Sequence, residues 1–282
     1  MTTHTIDGKK TASEIYAALS QKIKTFPQAP KLSIIMVGAD EASAIYVRNK
    51  QKAADSIGIR TELFHFPENT SQEEIISLIT RLNTDSQTNG IIVQLPLPKH
   101  LNTNMIINQI NPKKDVDGFN PYNTGMLQNN EKPYFIAATP LGIMTMLKNV
   151  CQDLSGKNVV IIGASLIVGR PLATLLLNQE CTVTVTHVHT RNIKELTRKA
   201  DILVAACGVA KLVKKDWIKD GAVLIDVGIN HQDGKICGDI DADDVKEKAA
   251  FLTPVPGGVG PMTVAMLLQN TVDAYLLQTS PL

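Results

Sequence analysis

The chain's 282 residues exceed what one ordinary domain needs and suffice for two, with 44% hydrophobic content to supply the cores. Lys+Arg of 28 against Asp+Glu of 27 leaves a net charge of +1, which gives no global attraction to nucleic acid or an anionic membrane. The apolar runs are strand-sized and the N-terminal stretch lacks a secretory pattern. The cysteines Cys151, Cys181, Cys207 and Cys237 form no C-x-x-C pair, so a reduced, cytoplasmic protein without a metal centre is expected.

In chain order, Leu32–Val37 reads as a strand, followed by a helix from about Asp40 to Ile57 that stops at Gly58. Thr61–Phe66 is a second strand, Ser71–Leu82 a helix and Gly90–Leu95 a third strand. This β-α-β-α-β rhythm predicts a parallel sheet covered by helices. It breaks from Pro96 to Thr139, a stretch rich in Pro, Asn, Gly and Asp, with one short helical piece near Asn104–Ile110. Loops that long are usually functional or disordered, and the aromatic D-V-D-G-F-N-P-Y-N run favours function. A second α/β series starts near Gly142, with strands predicted at Asn158–Ile162, Thr182–His187, Asp201–Ala205 and Ala222–Val227. Phe251–Val255 leads into a Pro/Gly loop and an apolar helix, Met262–Leu277. The fold class is therefore α/β. Two α/β domains with a cleft between them are expected, the second a Rossmann-like, doubly wound dinucleotide-binding domain whose ligand lies beyond the C-terminal strand ends.

N-V-V-I-I-G-A-S-L-I-V-G-R-P has the strand–turn–helix form of a dinucleotide fingerprint, as G-x-S-x-x-x-G. Gly163 permits the tight turn, Ser165 offers a hydroxyl and a backbone N–H to phosphate, and Gly169 permits close helix packing. The same turn also suits any doubly wound domain. After the next predicted strand comes His187-Val188-His189-Thr190-Arg191. No acid stands there to hold ribose hydroxyls, and the basic residues favour a 2′-phosphate, hence NADP. In the first series, Tyr46 and Lys50 stand at i and i+4 and share a helix face with Ala53, Ala54 and Ile57 on or near it. Partial desolvation would suit such a lysine to proton transfer; the competing reading is a lysine whose ammonium simply reaches water. Gln94 ends a strand and is placed to orient a lysine or a substrate amide. Asp115 and Asp117 flank Val116 before a glycine; metal is the weaker use for them because no third ligand cluster is near.

These pieces resemble, in order and over essentially the full chain, the bifunctional methylenetetrahydrofolate dehydrogenase/methenyltetrahydrofolate cyclohydrolase family. The matching motifs are Y-V-x-x-K-x-K-A-A at Tyr46–Ala54, Q-L-P-L-P at Gln94–Pro98, K-D-V-D-G at Lys114–Gly118 and T-P-x-G-I at Thr139–Ile143. They continue with I-V-G-R-P at Ile167–Pro171, D-V-G-I-N at Asp226–Asn230 and T-P-V-P-G-G-V-G-P-M-T at Thr253–Thr263. The resemblance implies that Lys50 is catalytic and tuned by Gln94, that Tyr46 packs against the folate and that Asp117 grips its pterin. It implies that Pro256, Gly257, Gly258 and Val259 contact folate, and that Gly163, Ala164, Ser165 and Ile229 contact the dinucleotide. A homodimer is implied too, as is a final helix that returns to the first domain. On that basis residues 1–139 with 260–282 form the catalytic domain and 140–259 the nucleotide domain. Two departures concern the 2′-phosphate: Ala164 stands where the family usually has arginine, and Val188 where it has serine. His189 or Arg191 compensates for them, or NAD is used instead. Ala137-Ala138-Thr139-Pro140 replaces the family's P-C-T-P at the folate pocket wall.

Overall fold

A computed structural model describes residues 2–232 and 234–279, without the side chain of residue 42. The elements are β1 (His4–Thr5), α1 (Gly8–Ile23), β2 (Lys31–Val37), α2 (Glu41–Ile57), β3 (Arg60–Phe66), α3 (Gln72–Thr84), β4 (Gly90–Val93), α4 (Thr103–Ile107), α5 (Pro121–Gln128) and α6 (Ala138–Val150). They continue with β5 (Asn158–Ile162), α7 (Gly169–Leu177), β6 (Thr182–Thr186), α8 (Ile193–Thr197), β7 (Ile202–Ala205), β8 (Val223–Asp226), β9 (Asn230–Gln232), β10 (Lys235–Cys237), α9 (Ala242–Val245), β11 (Phe251–Leu252) and α10 (Val259–Thr279). The chain divides into two compact units, Glu14–Ala138 with Val264–Leu282, and Met1–Ser13 with Thr139–Thr263.

The first of these units is built on a parallel sheet of order β3-β2-β4. The central strand β2 is buried along nearly its whole length, as a parallel strand covered on both faces must be. Ile75, Leu78, Ile79 and Leu82 of α3 pack on Ile35, Val37, Ile91 and Val93 of the sheet. Each such side chain contributes roughly 1.5–3 kcal/mol by leaving water. Ser71 starts α3 through a reciprocal capping box with Glu74. The segment predicted as irregular holds α4 and also α5, which starts with the Asn120 cap and Pro121 in the first turn. The Leu95–Pro96 peptide bond just after β4 is cis.

The other unit carries a six-stranded parallel sheet of order β1-β11-β8-β7-β5-β6. The chain moves outward from β5 to β6, then returns to β7 on the other side of β5. That reversal is the topological switch point of a doubly wound sheet. At the N-terminus, the residues up to Ser13 cluster with this sheet. His4 and Thr5 pair with Phe251 and Leu252, and Gly8 lies so close to the Gly258 carbonyl that a Cβ there would sit 1.9 Å from its oxygen. Two paired residues are too short a run to announce a strand. A β9–β10 hairpin, also unread in the sequence, leaves the C-terminal side of β8.

Candidate active site

Helix α2 forms because Asp40 accepts the Ser43 backbone N–H at 2.7 Å, and it ends because Gly58 adopts φ +91°. Its buried stripe runs through Ser43, Val47, Ala54 and Ile57, and Lys50 occupies the vacant step of that 4-3-4-3 spacing. The lysine stem therefore starts on the core side, and the residue is half-buried. Tyr46, one turn earlier, remains 41% exposed, and burial of its ring raises its phenol above the ordinary value, so it is a neutral packing surface.

Lys50 Nζ donates to Gln94 Oε1 at 3.1 Å, while Gln94 Nε2 donates to the Leu95 carbonyl at 2.7 Å. The second bond fixes which amide atom faces the lysine. The ammonium has three donors, so two remain for other partners. Asp117 lies within electrostatic reach of Lys50: burial raises its carboxyl above the ordinary value, and the Lys50 charge opposes that shift. The structure thus brings Lys50, Gln94 and Asp117 into one cluster, with Tyr46 on the adjoining turn.

The Lys114–Gly118 loop explains how Asp117 is presented. Lys114 is buried and donates to the carbonyls of Leu82 and Asp85 at 2.9 and 2.7 Å, closing the end of α3. Val116 is fully buried over Gly90, where a Cβ would come within 2.9 Å of its methyls. Gly118 has φ +72° and no room for a side chain against Ile136 and Ala137. Asp115 and Asp117 do not act as a pair. Asp115 is 1% exposed, and its Oδ2 accepts from the Asn120 backbone at 2.8 Å and from Asn123 Nδ2 at 3.0 Å. Its Oδ1 has no hydrogen-bond partner among the described residues.

Burial pushes the Asp115 carboxyl up to about 7, against the hydrogen bonds that favour its charged form. A folded-state value raised above that of the unfolded chain means that the folded state holds the extra proton between about pH 4 and 7. Stability then falls as pH rises through that window, by up to about 1.4 kcal/mol per pH unit for this group. Asp115→Asn is expected to remove that slope; denaturant unfolding at pH 5, 6 and 7 reads it, and equal slopes in both proteins would refute it.

Asn270 was not anticipated. Buried on α10, it donates through Nδ2 to the Val116 and Ile136 carbonyls, both at 2.9 Å, and so ties the backbone just before Asp117 to the Ile136 segment that lies against Gly118. An amide at a core position of an otherwise apolar helix was the available signal.

In the other unit, β5 is followed by Gly163, which has φ +118° and whose Cβ would fall 2.1 Å from the Ala206 carbonyl oxygen. Gly169 is equally confined, 2.0 Å from the Gly163 carbonyl oxygen. The Ser165 hydroxyl accepts the backbone N–H groups of Val168 and Gly169 at 3.1 and 3.4 Å, and its own proton remains available to donate. The backbone N–H groups of Ala164, Ser165, Leu166 and Ile167 have no acceptor among the described residues. A glycine-tight turn with free N–H groups at the start of α7 fits a pyrophosphate. Ile229 is 44% exposed, three residues beyond the end of β8 at Asp226. After β6, Thr190 closes a turn on His187, His189 N–H donates to His187 Nδ1 at 3.2 Å, and His189 and Arg191 are exposed. Val188 is 94% exposed and has no polar side-chain atom. Of the C-terminal loop, Pro256 is exposed after a cis Val255–Pro256 bond, whereas Gly257, Gly258 and Val259 are buried.

Two family models match: "Tetrahydrofolate dehydrogenase/cyclohydrolase, catalytic domain" over residues 6–117, and "Tetrahydrofolate dehydrogenase/cyclohydrolase, NAD(P)-binding domain" over residues 137–279. The chain is 48% identical to the bifunctional protein FolD of Aquifex aeolicus strain VF5 over 274 residues, covering 96% of this chain and 94% of that protein. The solved structure of the bifunctional enzyme FolD, methylenetetrahydrofolate dehydrogenase/cyclohydrolase, from Campylobacter jejuni is similar at TM-score 0.95 and 45% identity, covering 97% of this chain and 98% of that one. The Trypanosoma brucei FolD structure, complexed with NADP cofactor and an inhibitor, matches at TM-score 0.95 and 36% identity over 100% of both chains.

Proposed function

The chain belongs to the tetrahydrofolate dehydrogenase/cyclohydrolase family, and from that premise we propose that it oxidises 5,10-methylenetetrahydrofolate to the 5,10-methenyl cation with NADP and hydrolyses that cation to 10-formyltetrahydrofolate. The observation that carries this reading is the Lys50 Nζ–Gln94 Oε1 bond of 3.1 Å, with Asp117 beside it and exposed Tyr46 one turn away. Asp117 accepts hydrogen bonds from the pterin amine and ring N–H, and Tyr46 lies against the ring. Oxidation then demands mainly orientation. When bound, the dinucleotide supplies the two-electron acceptor.

Hydrolysis demands proton movement. Water adds to the methenyl carbon and releases one proton to solvent. As the carbonyl forms, the carbon–N5 bond breaks, and the second proton passes from oxygen to N5. Lys50 is the group assigned to these transfers, held in place by the fixed amide of Gln94. Gly163, Ala164 and Ser165 hold the pyrophosphate through backbone and hydroxyl, Ile229 borders the nicotinamide, and His189 and Arg191 meet the 2′-phosphate. The Pro256–Val259 loop borders the folate, with Pro256 as its exposed member. A homodimer in the cytoplasm is proposed with it, and sedimentation at twice the monomer mass tests the assembly.

One observation favours a second reading. Ala164 and Val188 bring no hydrogen-bonding side chain to the 2′-phosphate, and Val188 is almost wholly in solvent, which favours an NAD-preferring or cyclohydrolase-dominant enzyme. Steady-state rates with methylenetetrahydrofolate and either dinucleotide decide between them. Folate-dependent reduction with higher kcat/KM for NADP is expected; equal or better use of NAD overturns the NADP assignment, and reduction of neither leaves the hydrolase reading.

A further inference from the structure

The D-V-G-I-N run that follows β8 is explained only in part by Ile229. Its first residue, Asp226, is 3% exposed and accepts three backbone N–H groups: Gly228 at 3.1 Å and Asp239 at 2.9 Å on Oδ1, and Ile240 at 2.9 Å on Oδ2. Asp239, fully buried, accepts three more donors: Cys207 N–H at 2.7 Å and Gly208 N–H at 3.0 Å on Oδ2, and Asn230 Nδ2 at 2.8 Å on Oδ1. Two carboxylates lie side by side out of water, a placement that is costly unless their oxygens are well supplied with donors. Glycines make the space. A Cβ on Gly228 would fall 2.1 Å from Asp239 Oδ1, and one on Gly238 1.8 Å from Asp226 Oδ2.

We propose that Asp226 and Asp239 are positioning residues for the nicotinamide dinucleotide, tying the loops after β7, after β8 and after the β9–β10 hairpin into one rigid wall. The placement is specific. The loop after β7 lies against the fingerprint turn, since the Ala206 carbonyl occupies the space a Gly163 Cβ would need. Exposed Ile229 sits between Gly228 and Asn230, and both of those residues are held by the pair. The pair thus fixes the backbone on both sides of the residue assigned to the nicotinamide, at the strand ends where a doubly wound sheet takes its ligand. The inference deepens the dinucleotide reading above and rests on it.

Asp226→Asn is the sharp probe. All three donors to Asp226 are backbone N–H groups, so no turn of the amide avoids setting an NH2 against at least one of them. Calorimetric titration of the full chain with NADP and with NAD is expected to show Kd raised about tenfold or more for whichever dinucleotide the wild type binds. In steady state the loss should fall on KM for the dinucleotide, while hydrolysis of the methenyl substrate without dinucleotide stays within about twofold. Wild-type affinity in a folded Asp226→Asn protein would overturn the proposal. A wild type that binds neither dinucleotide would instead overturn the underlying functional reading. Should Asp226→Asn fail to fold, Asn230→Ala decides. It removes one donor from a half-buried position and should raise Kd about threefold or more; an unchanged Kd in that variant overturns the proposal.

Discussion

Lys50→Met is expected to slow hydrolysis of 5,10-methenyltetrahydrofolate by about 10²–10⁴-fold, the usual worth of a positioned proton-transfer group. Methionine keeps the unbranched stem that Lys50 lays on the buried side of α2, between Val47 and Ala54, so the helix should persist. What disappears is the amine and its 3.1 Å bond to Gln94 Oε1. Oxidation of the methylene substrate should suffer less, because that step needs orientation more than proton movement. Separate assays of the two reactions on one preparation check this. Hydrolysis at the wild-type rate would remove Lys50 from the chemistry, and equal losses in both steps would point to binding rather than catalysis.

Asp117→Ala is expected to weaken folate binding on the order of 30-fold or more, the cost of deleting one partner of buried, charge-assisted hydrogen bonds. The same change should not lower the stability of the fold. Burial already raises the Asp117 carboxyl, so its charged form is held at a cost that only the nearby Lys50 offsets. The turn that carries it depends on Gly118, Val116 and Asn270 rather than on the carboxylate. Loss of folate affinity with an unchanged Tm identifies a binding group. Normal folate binding by the alanine variant would refute the pterin role.

The parts of this molecule that were legible in the sequence are those written in local pattern. Helix α2 carries its own start in Asp40 and its own stop in Gly58, and β2 and β5 are apolar runs of strand length. The Tyr46–Lys50 spacing put both residues on one face, but whether that face met the core or water was settled only by its buried neighbours. Helix α5 was readable in principle from Asn120-Pro121 and was hidden by the polar composition around it. Strand β1 was not readable, because two residues carry no period and their partner, β11, lies near the other end of the chain. Asp115 and Asp117 look alike in sequence and differ in space: one accepts hydrogen bonds from Asn120 and Asn123, the other lies within electrostatic reach of Lys50. Asp226 and Asp239 meet only because a hairpin intervenes, which is a fact of topology.

The central claim is that this one chain performs two consecutive reactions, and product analysis of a single incubation tests it most directly. The purified chain is mixed with 5,10-methylenetetrahydrofolate and NADP, with no other enzyme present, and reduced dinucleotide and 10-formyltetrahydrofolate are both quantified against a spontaneous-hydrolysis control. One 10-formyltetrahydrofolate for each dinucleotide reduced, formed faster than the control and lost when Lys50 is replaced by methionine, is the predicted result. Methenyltetrahydrofolate that accumulates and decays only at the spontaneous rate would contradict it.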